Sequence, residues 1–85
     1  MNNTEFLDDL ITVTASIDHQ GKISPKDLLW RHKLYTIINV GRQWQADDGR
    51  YVLVEVANGD RFEIQLSQTD LLWHLRRVWR EEGLA

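Results

Sequence analysis

The sequence predicts a mainly β fold: five antiparallel strands in a meander, a small sandwich or a half-open barrel, followed by a C-terminal amphipathic helix. Asn58-Gly59 separates two alternating runs within residues 50–66, a pattern typical of a β-hairpin. Turn residues closed by Gly21, Gly49 and Gly59 recur between short apolar runs, as in small all-β domains.

Length and composition indicate a single folded domain. The chain has 85 residues, of which 42% are hydrophobic and 27% charged, ordinary values for a globular protein. Residues 1–9 are mostly polar and acidic, so we expect a loosely ordered N-terminus. Residues 10–85 form the predicted β-rich domain.

The first two strands are predicted around a glycine turn. Ile11, Val13, Ala15 and Ile17 alternate with polar residues, as in a half-buried strand. A bulged turn with Gly21 in the left-handed conformation pairs Ile17 with Ile23. Because Pro25 lacks an amide donor, the second strand is predicted to be a short edge piece over residues 22–24. Residues 26–30 show no period and are interpreted as a connection.

The third strand is predicted over residues 34–40, which carry apolar side chains on both faces, as a central strand does. Gly41 is predicted to be a bulge that bends this strand toward Trp44. The turn Asp47-Asp48-Gly49 then leads into the main hairpin.

The register of the main hairpin follows from parity. A two-residue turn at Asn58-Gly59 leaves both faces mixed, whereas a three-residue turn with a bulge at left-handed Gly59 separates apolar from polar faces. The predicted partners in that bulged register are Val54 with Phe62, Val52 with Ile64, and Glu55 with Arg61.

The C-terminal segment allows two interpretations. Its apolar residues fall within an arc of roughly 120° on a helical wheel, which predicts an amphipathic helix. These residues are Leu71, Leu72, Leu75, Val78 and Trp79. Trp73 lies on the polar side of that wheel, so a sixth strand is the alternative.

No catalytic, metal or cofactor site is predicted. The chain has no cysteine, and its three histidines lack a local ligand spacing. The glycines are dispersed, no serine lies in a strand-to-helix elbow, and the paired aspartates suit turns. The chain has no long apolar span and no signal-like run after Met1, so we expect a cytoplasmic protein that binds no membrane.

Aromatic and basic residues interleave around the third strand and form the candidate binding surface. Its members are Trp30, Arg31, Lys33, Tyr35, Arg42, Trp44 and Arg50. Such interleaving is used to bind single-stranded nucleic acid, but the local excess of charge is only +2 in a chain of net charge −3. Core packing of the aromatic residues is the competing interpretation.

The segment from Pro25 to Trp79 resembles a group of uncharacterised small bacterial β domains. Their pattern is Trp-x-Gly-x-x-Tyr-x-Val, a further Trp, a hairpin ending in Phe-Glu-Leu, and Trp-x-Leu. The matching residues here are Trp30, Tyr35, Ile37, Trp44, Tyr51, Val54, Gly59, Phe62, Glu63, Ile64, Trp73 and Leu75, with His32 where the pattern has Gly. Some members resemble companions of translesion DNA polymerases, so the resemblance implies nucleic-acid contact and a strand at Trp73.

From the sequence we expect a non-enzymatic binding or interaction module. Its partner is expected to be another protein or a second copy of the chain, because an uncovered edge strand favours edge pairing. The alternative is a weak single-stranded nucleic-acid binder, distinguished by whether Trp30, Trp44 and Tyr35 are buried or line an exposed basic groove.

Overall fold

The computed structural model describes residues 4–81 as six antiparallel strands that close into a barrel in sequence order. The mainly β prediction is confirmed, but the barrel is fully closed and has a sixth strand. The strands are β1 Thr4–Ile17, β2 Ile23–Trp30, β3 Lys33–Ala46, β4 Gly49–Val56, β5 Arg61–Ser67 and β6 Trp73–Trp79.

The β4–β5 hairpin has the predicted register. Val54 lies opposite Phe62, and the ladder continues without a shift along both strands. Gly59 has φ 96° and donates its amide to the carbonyl of Val56, so the turn needs the left-handed residue that glycine supplies. The same rule is confirmed at the β1–β2 turn, where Gly21 has φ 83° and Ile17 pairs with Ile23.

Strand β2 is longer than predicted. Residues 26–30, interpreted as a connection, continue the strand, which ends only where Trp30 pairs with Lys33 across a tight turn. Pro25 lies inside β2, opposite Ala15 of β1 and next to a register shift in the β1–β2 ladder. A proline is tolerated there because its missing amide is not required beside a bulge.

The C-terminal segment is strand β6, so the predicted helix is wrong and its alternative is confirmed. The reason is a register shift against β5 between Glu63 and Ile64. The inward-facing residues are consequently Trp73, Leu75 and Val78, whose spacing of two and then three imitates a helical stripe.

The N-terminal segment also differs from the prediction. Within residues 1–9, positions 1–3 lie outside the described residues, and Thr4 begins β1. Thr4 pairs with Trp79 and Ile11 with Trp73, so the first half of β1 closes the barrel against β6. The polar side chains that suggested disorder are instead engaged across this ladder: Glu5 accepts a hydrogen bond from Arg80 at 2.7 Å.

The core lies between the inward faces of all six strands. Phe62 is fully buried at its centre, with the Trp30 ring edge-on at 5.7 Å and the Tyr35 ring at 5.1 Å. The buried apolar side chains are Ile11, Ile23, Leu28, Trp30, Val52, Val54, Val56, Phe62, Ile64, Leu75 and Val78.

Strand β3 belongs to two ladders in succession. It pairs with β2 between Lys33 and Thr36, and with β4 from Ile37 to Ala46. Further along the β2–β3 seam, the side-chain amide of Gln43 donates to the carbonyl of Ile23 at 2.7 Å and accepts from its amide at 3.3 Å. The Gln43 side chain thus makes the two hydrogen bonds to Ile23 that a backbone partner on β3 would otherwise make.

The predicted strand over residues 34–40 is confirmed as part of β3, but its apolar residues are not buried on both faces as in a central strand. Leu34 is 62% exposed, Ile38 52% and Val40 43%. Register shifts at Ile38 and at Gly41 explain the apolar residues on both faces, since each bulge reverses the alternation. The bulge predicted at Gly41 is confirmed.

Candidate functional site: the exposed edge of strand β3 and the adjacent groove

The predicted aromatic and basic surface is divided between the two ends of β3. Trp30, Arg31, Lys33 and Tyr35 surround the β2–β3 turn, whereas Arg42, Trp44 and Arg50 lie near the β3–β4 turn. The strand therefore separates the two groups, and they do not form one continuous surface.

The first group belongs largely to the core. Trp30 is 3% exposed and donates its indole N–H to Asp9 at 2.9 Å. The guanidinium of Arg31 lies 4.6 Å from the Trp30 ring centre and pairs with Asp9 at 3.3 Å. Lys33 lies over the half-buried Tyr35 ring at 5.0 Å. Of these four residues, Arg31 and Lys33 are exposed, whereas Trp30 is buried and Tyr35 is half-buried.

The second group has intramolecular partners. Trp44 stacks on Tyr51, with ring centres 5.1 Å apart and planes 6° from parallel, and the Arg42 guanidinium lies 5.0 Å from Trp44. Arg50 donates to the carbonyl of Gly21 at 3.1 Å, which fastens the β1–β2 turn. Stacking against an external base would have to compete with these contacts.

A different site, which the sequence did not single out, lies on the outer face of β3 and β4. It is a groove of about 510 Å³ between the bulge of β3 and the end of β6. Its lining residues are Asn39, Val40, Gly41, Leu53, Val54, Glu55, Arg61 and Trp79.

The bulge gives the groove its depth. Val40 pairs with Val54 and Gln43 with Val52, so Gly41 and Arg42 together oppose the single residue Leu53. A methyl group at Gly41 would sit 3.7 Å from the Leu53 side chain, which means that a larger side chain there would cover Leu53. Glycine at this position keeps Leu53 open to solvent as an apolar floor.

On the side that faces β2, strand β3 has no ladder partner beyond Thr36 among residues 4–81. We call this side the open edge of β3. Val56 donates to Asp60 of the β4–β5 turn, so Val54, on the same edge of β4, also directs its polar groups toward β5. Val54 therefore makes no backbone hydrogen bonds to Val40. The N–H and C=O of Val40 point away from β4, toward the seam between β2 and β3.

Two carboxylates of this face have partners, whereas one cation does not. Glu55 accepts from the Asn39 amide at 3.1 Å, and the buried Glu63 pairs with Arg77 at 3.8 Å. Arg61 is exposed, and within residues 4–81 its guanidinium makes no hydrogen bond or ion pair. The groove thus combines an apolar floor with an available positive charge.

His74 lies on the same outer surface and serves the barrel closure. Its Nδ1 and Nε2 each lie 2.8 Å from a carboxylate oxygen, of Asp8 on β1 and of Asp70 in the β5–β6 turn. Burial lowers the pKa of His74, but the two carboxylates outweigh burial and raise the pKa above its ordinary 6.5. The protonated ring donates to both carboxylates, and it fastens β1 to β6.

Among the described residues, no group of His, Cys, Asp or Glu side chains is arranged to hold a metal ion. The same part of the chain contains no helix long and apolar enough to span a membrane.

No protein-family model matches this chain, and no curated protein or solved structure matches it either. The resemblance to small bacterial β domains stays a prediction.

Proposed function

We propose that this chain is a non-enzymatic interaction module that binds an extended segment of a partner protein along the exposed edge of β3. The observation that carries the proposal is the side of β3 that faces β2, where no strand pairs with residues 37–41 and toward which the backbone N–H and C=O of Val40 point. A segment added at such an edge gains affinity from main-chain hydrogen bonds and specificity from its side chains.

The composition of this edge supports the proposal. Exposed edge strands are usually protected by charged residues or proline, because an unprotected edge recruits other strands. Residues 37–41 read Ile-Ile-Asn-Val-Gly and contain neither. Ile38 and Val40 are 52% and 43% exposed. An apolar segment docked there removes both side chains from water while its backbone satisfies the open groups.

The groove supplies the side-chain recognition that an edge alone lacks. It begins at Val40 and Gly41, on the same strand as the open edge, so a segment that leaves this edge can cross β3 to reach the floor at Leu53. Neighbouring strands lie about 4.8 Å apart, so a segment paired on the β2 side of β3 lies roughly 14 Å from β5 and Arg61. Residues of the segment beyond its strand-paired part are within reach of the groove.

Single-stranded nucleic-acid binding has less support. Trp30 is core, Trp44 is already stacked on Tyr51, and the net charge of −3 provides no general attraction to phosphate. The experiment below treats nucleic acid as one of its outcomes.

The test uses a displayed library of random peptides selected against the full chain. Enriched peptides are synthesised and titrated into the ¹⁵N-labelled protein. We expect amide shift changes centred on residues 38–43, and we expect Val40→Lys to weaken binding at least about tenfold because a charge blocks edge pairing. Leu34→Lys is the matched control, since Leu34 is an exposed apolar residue of β3 whose partner on the β2 side, Leu29, is already in place.

Three results contradict the proposal. The first is a selection that enriches no peptide. The second is a set of shift changes away from β3. The third is Trp fluorescence quenched by an oligothymidylate with micromolar, salt-sensitive affinity that is lost in the double variant Arg42→Ala, Trp44→Ala, which would assign the chain to nucleic acid. A dimer in light scattering that Val40→Lys dissociates would assign the edge to a second copy.

A further inference from the structure

We infer that the groove selects a carboxylate: the docked segment carries an aspartate or glutamate beyond its strand-paired apolar residues, and Arg61 binds it. The inference rests on the proposed function for the presence of a docked segment. It adds the chemical identity of the side chain that the groove recognises.

The position of Arg61 leads to this inference. Arg61 is the first residue of β5 and lies opposite Glu55 in the β4–β5 ladder. Opposite charges at such positions on neighbouring strands commonly pair. Here the Glu55 carboxylate is turned to the Asn39 amide, at 3.1 Å, and the pair is not made. The guanidinium lines the groove with its donors available to an external group.

Two other cations near the groove, Arg77 and Arg80, already form ion pairs with carboxylates. Arg77 pairs with Glu63 and lies against two aromatic rings, with its guanidinium 4.8 Å from the Phe6 ring and 5.0 Å from the Trp79 ring. Arg80 pairs with Glu5 at 2.7 Å. Arg61 is thus the one cation among the lining residues, and within residues 4–81 its guanidinium has no hydrogen bond or ion pair, although Glu55 lines the same groove.

The surroundings favour a carboxylate on an apolar segment. Trp79, Leu53 and Val40 form apolar walls and floor around the guanidinium. Partial removal of water strengthens a charge-assisted bond, and a guanidinium matches the two oxygens of a carboxylate. Because the whole chain carries −3, long-range attraction contributes little, and selection depends on this local contact.

The test repeats the peptide selection with variants and reads the composition of the enriched peptides. Wild type is expected to enrich Asp or Glu next to an apolar run. Arg61→Gln is expected to lose the acidic preference while keeping the apolar run. Lys22→Gln, which removes an equal charge from an exposed residue of the β1–β2 turn, is expected to keep both. Glu55→Gln removes the negative charge of the groove itself, which repels an incoming carboxylate, and is expected to strengthen the acidic preference.

Affinity gives a second measurement. Replacing the acidic residue of an enriched peptide by its amide should weaken binding to wild type by about 3- to 10-fold, as for one partly exposed charged pair. The same replacement should leave binding to Arg61→Gln unchanged. Enriched peptides without acidic bias, or a bias that persists in Arg61→Gln, would overturn the inference and leave the proposed function standing. A selection that enriches nothing would overturn both.

Discussion

Truncation of Phe62 is the most direct test of the core. Phe62→Ala removes a ring that has no exposed surface and that contacts the Trp30 and Tyr35 rings edge-on, at 5.7 and 5.1 Å. Loss of a buried Phe side chain costs about 3 to 5 kcal/mol. Each aromatic pair is worth about 0.5 to 1.5 kcal/mol beyond its area, so we expect the upper half of that range, about 4 to 5 kcal/mol.

The total stability of the chain makes this loss large. At about 0.05 to 0.15 kcal/mol per residue, a chain of 85 residues has roughly 4 to 13 kcal/mol in all. Phe62→Ala therefore removes between a third and the whole of it. If the total stability is near the upper end of its range, the variant stays folded but is easily denatured. If the total is near the lower end, the variant is unfolded at 37 °C.

The assay is urea denaturation followed by far-UV circular dichroism and Trp fluorescence. With a slope of about 1 to 3 kcal/mol per molar urea, the midpoint should fall by roughly 1.3 to 5 M. Phe6→Ala is the matched control, because Phe6 is 73% exposed on β1 and loses little packing on truncation. A Phe62→Ala midpoint within 0.3 M (roughly the error of such fits) of wild type would refute the assignment of the core face.

Three further predictions concern the barrel closure and turns. Gln43→Leu should cost about 1 to 3 kcal/mol in urea denaturation and speed hydrogen exchange at Ile23, since both polar groups of Ile23 lose their partner; unchanged exchange would contradict the bridge. Gly49→Ala should destabilise the chain strongly in thermal denaturation, because φ is 149° and the added methyl meets the Leu66 carbonyl; an unchanged Tm would contradict this close approach. His74 has a raised folded-state pKa, so its stabilisation is complete below the unfolded pKa near 6.5 and is lost as pH rises through the higher folded value; urea midpoints should fall from pH 6 to 9 in wild type and less in His74→Gln, and equal slopes would refute the role of the imidazolium.

The main hairpin could be predicted because its determinants are local. A left-handed glycine and two alternating runs define one register, and any slip exchanges the buried and exposed faces. The same reasoning paired Ile17 with Ile23 across Gly21. In these turns, neighbouring residues alone specify the geometry.

The errors over β3 and β6 have a common physical cause, which is the bulge. A bulge adds one residue to one strand, so an inward side chain is followed by the next one three positions later. In β6 this spacing resembles the apolar stripe of a helix. In β3 it places apolar residues on both faces, as in a strand that is buried on both sides. Register shifts depend on the partner strand, and they leave no local signal apart from glycine at position 41.

The candidate site was missed for a related reason. Leu53 was recognisable only as an apolar residue on the otherwise polar face of the β4–β5 hairpin, and Arg61 as one member of an expected pair with Glu55. Whether that pair forms is decided by Asn39, which a bulge in β3 brings next to Glu55. The N-terminal segment was likewise mistaken for loose chain because its partners, His74 and Arg80, lie at the other end of the sequence.

The pairing of β1 with β6 has a consequence for how the chain folds. The other ladders join strands that follow one another, so they form by closing short loops, whereas this one joins residues 4–11 to residues 73–79. Contacts of such large sequence separation are slow to find and tend to form after the local hairpins. Contacts made after the rate-limiting step chiefly set the rate of unfolding. The contact between the first and last strands therefore governs how long the folded molecule survives, more than how quickly it is reached.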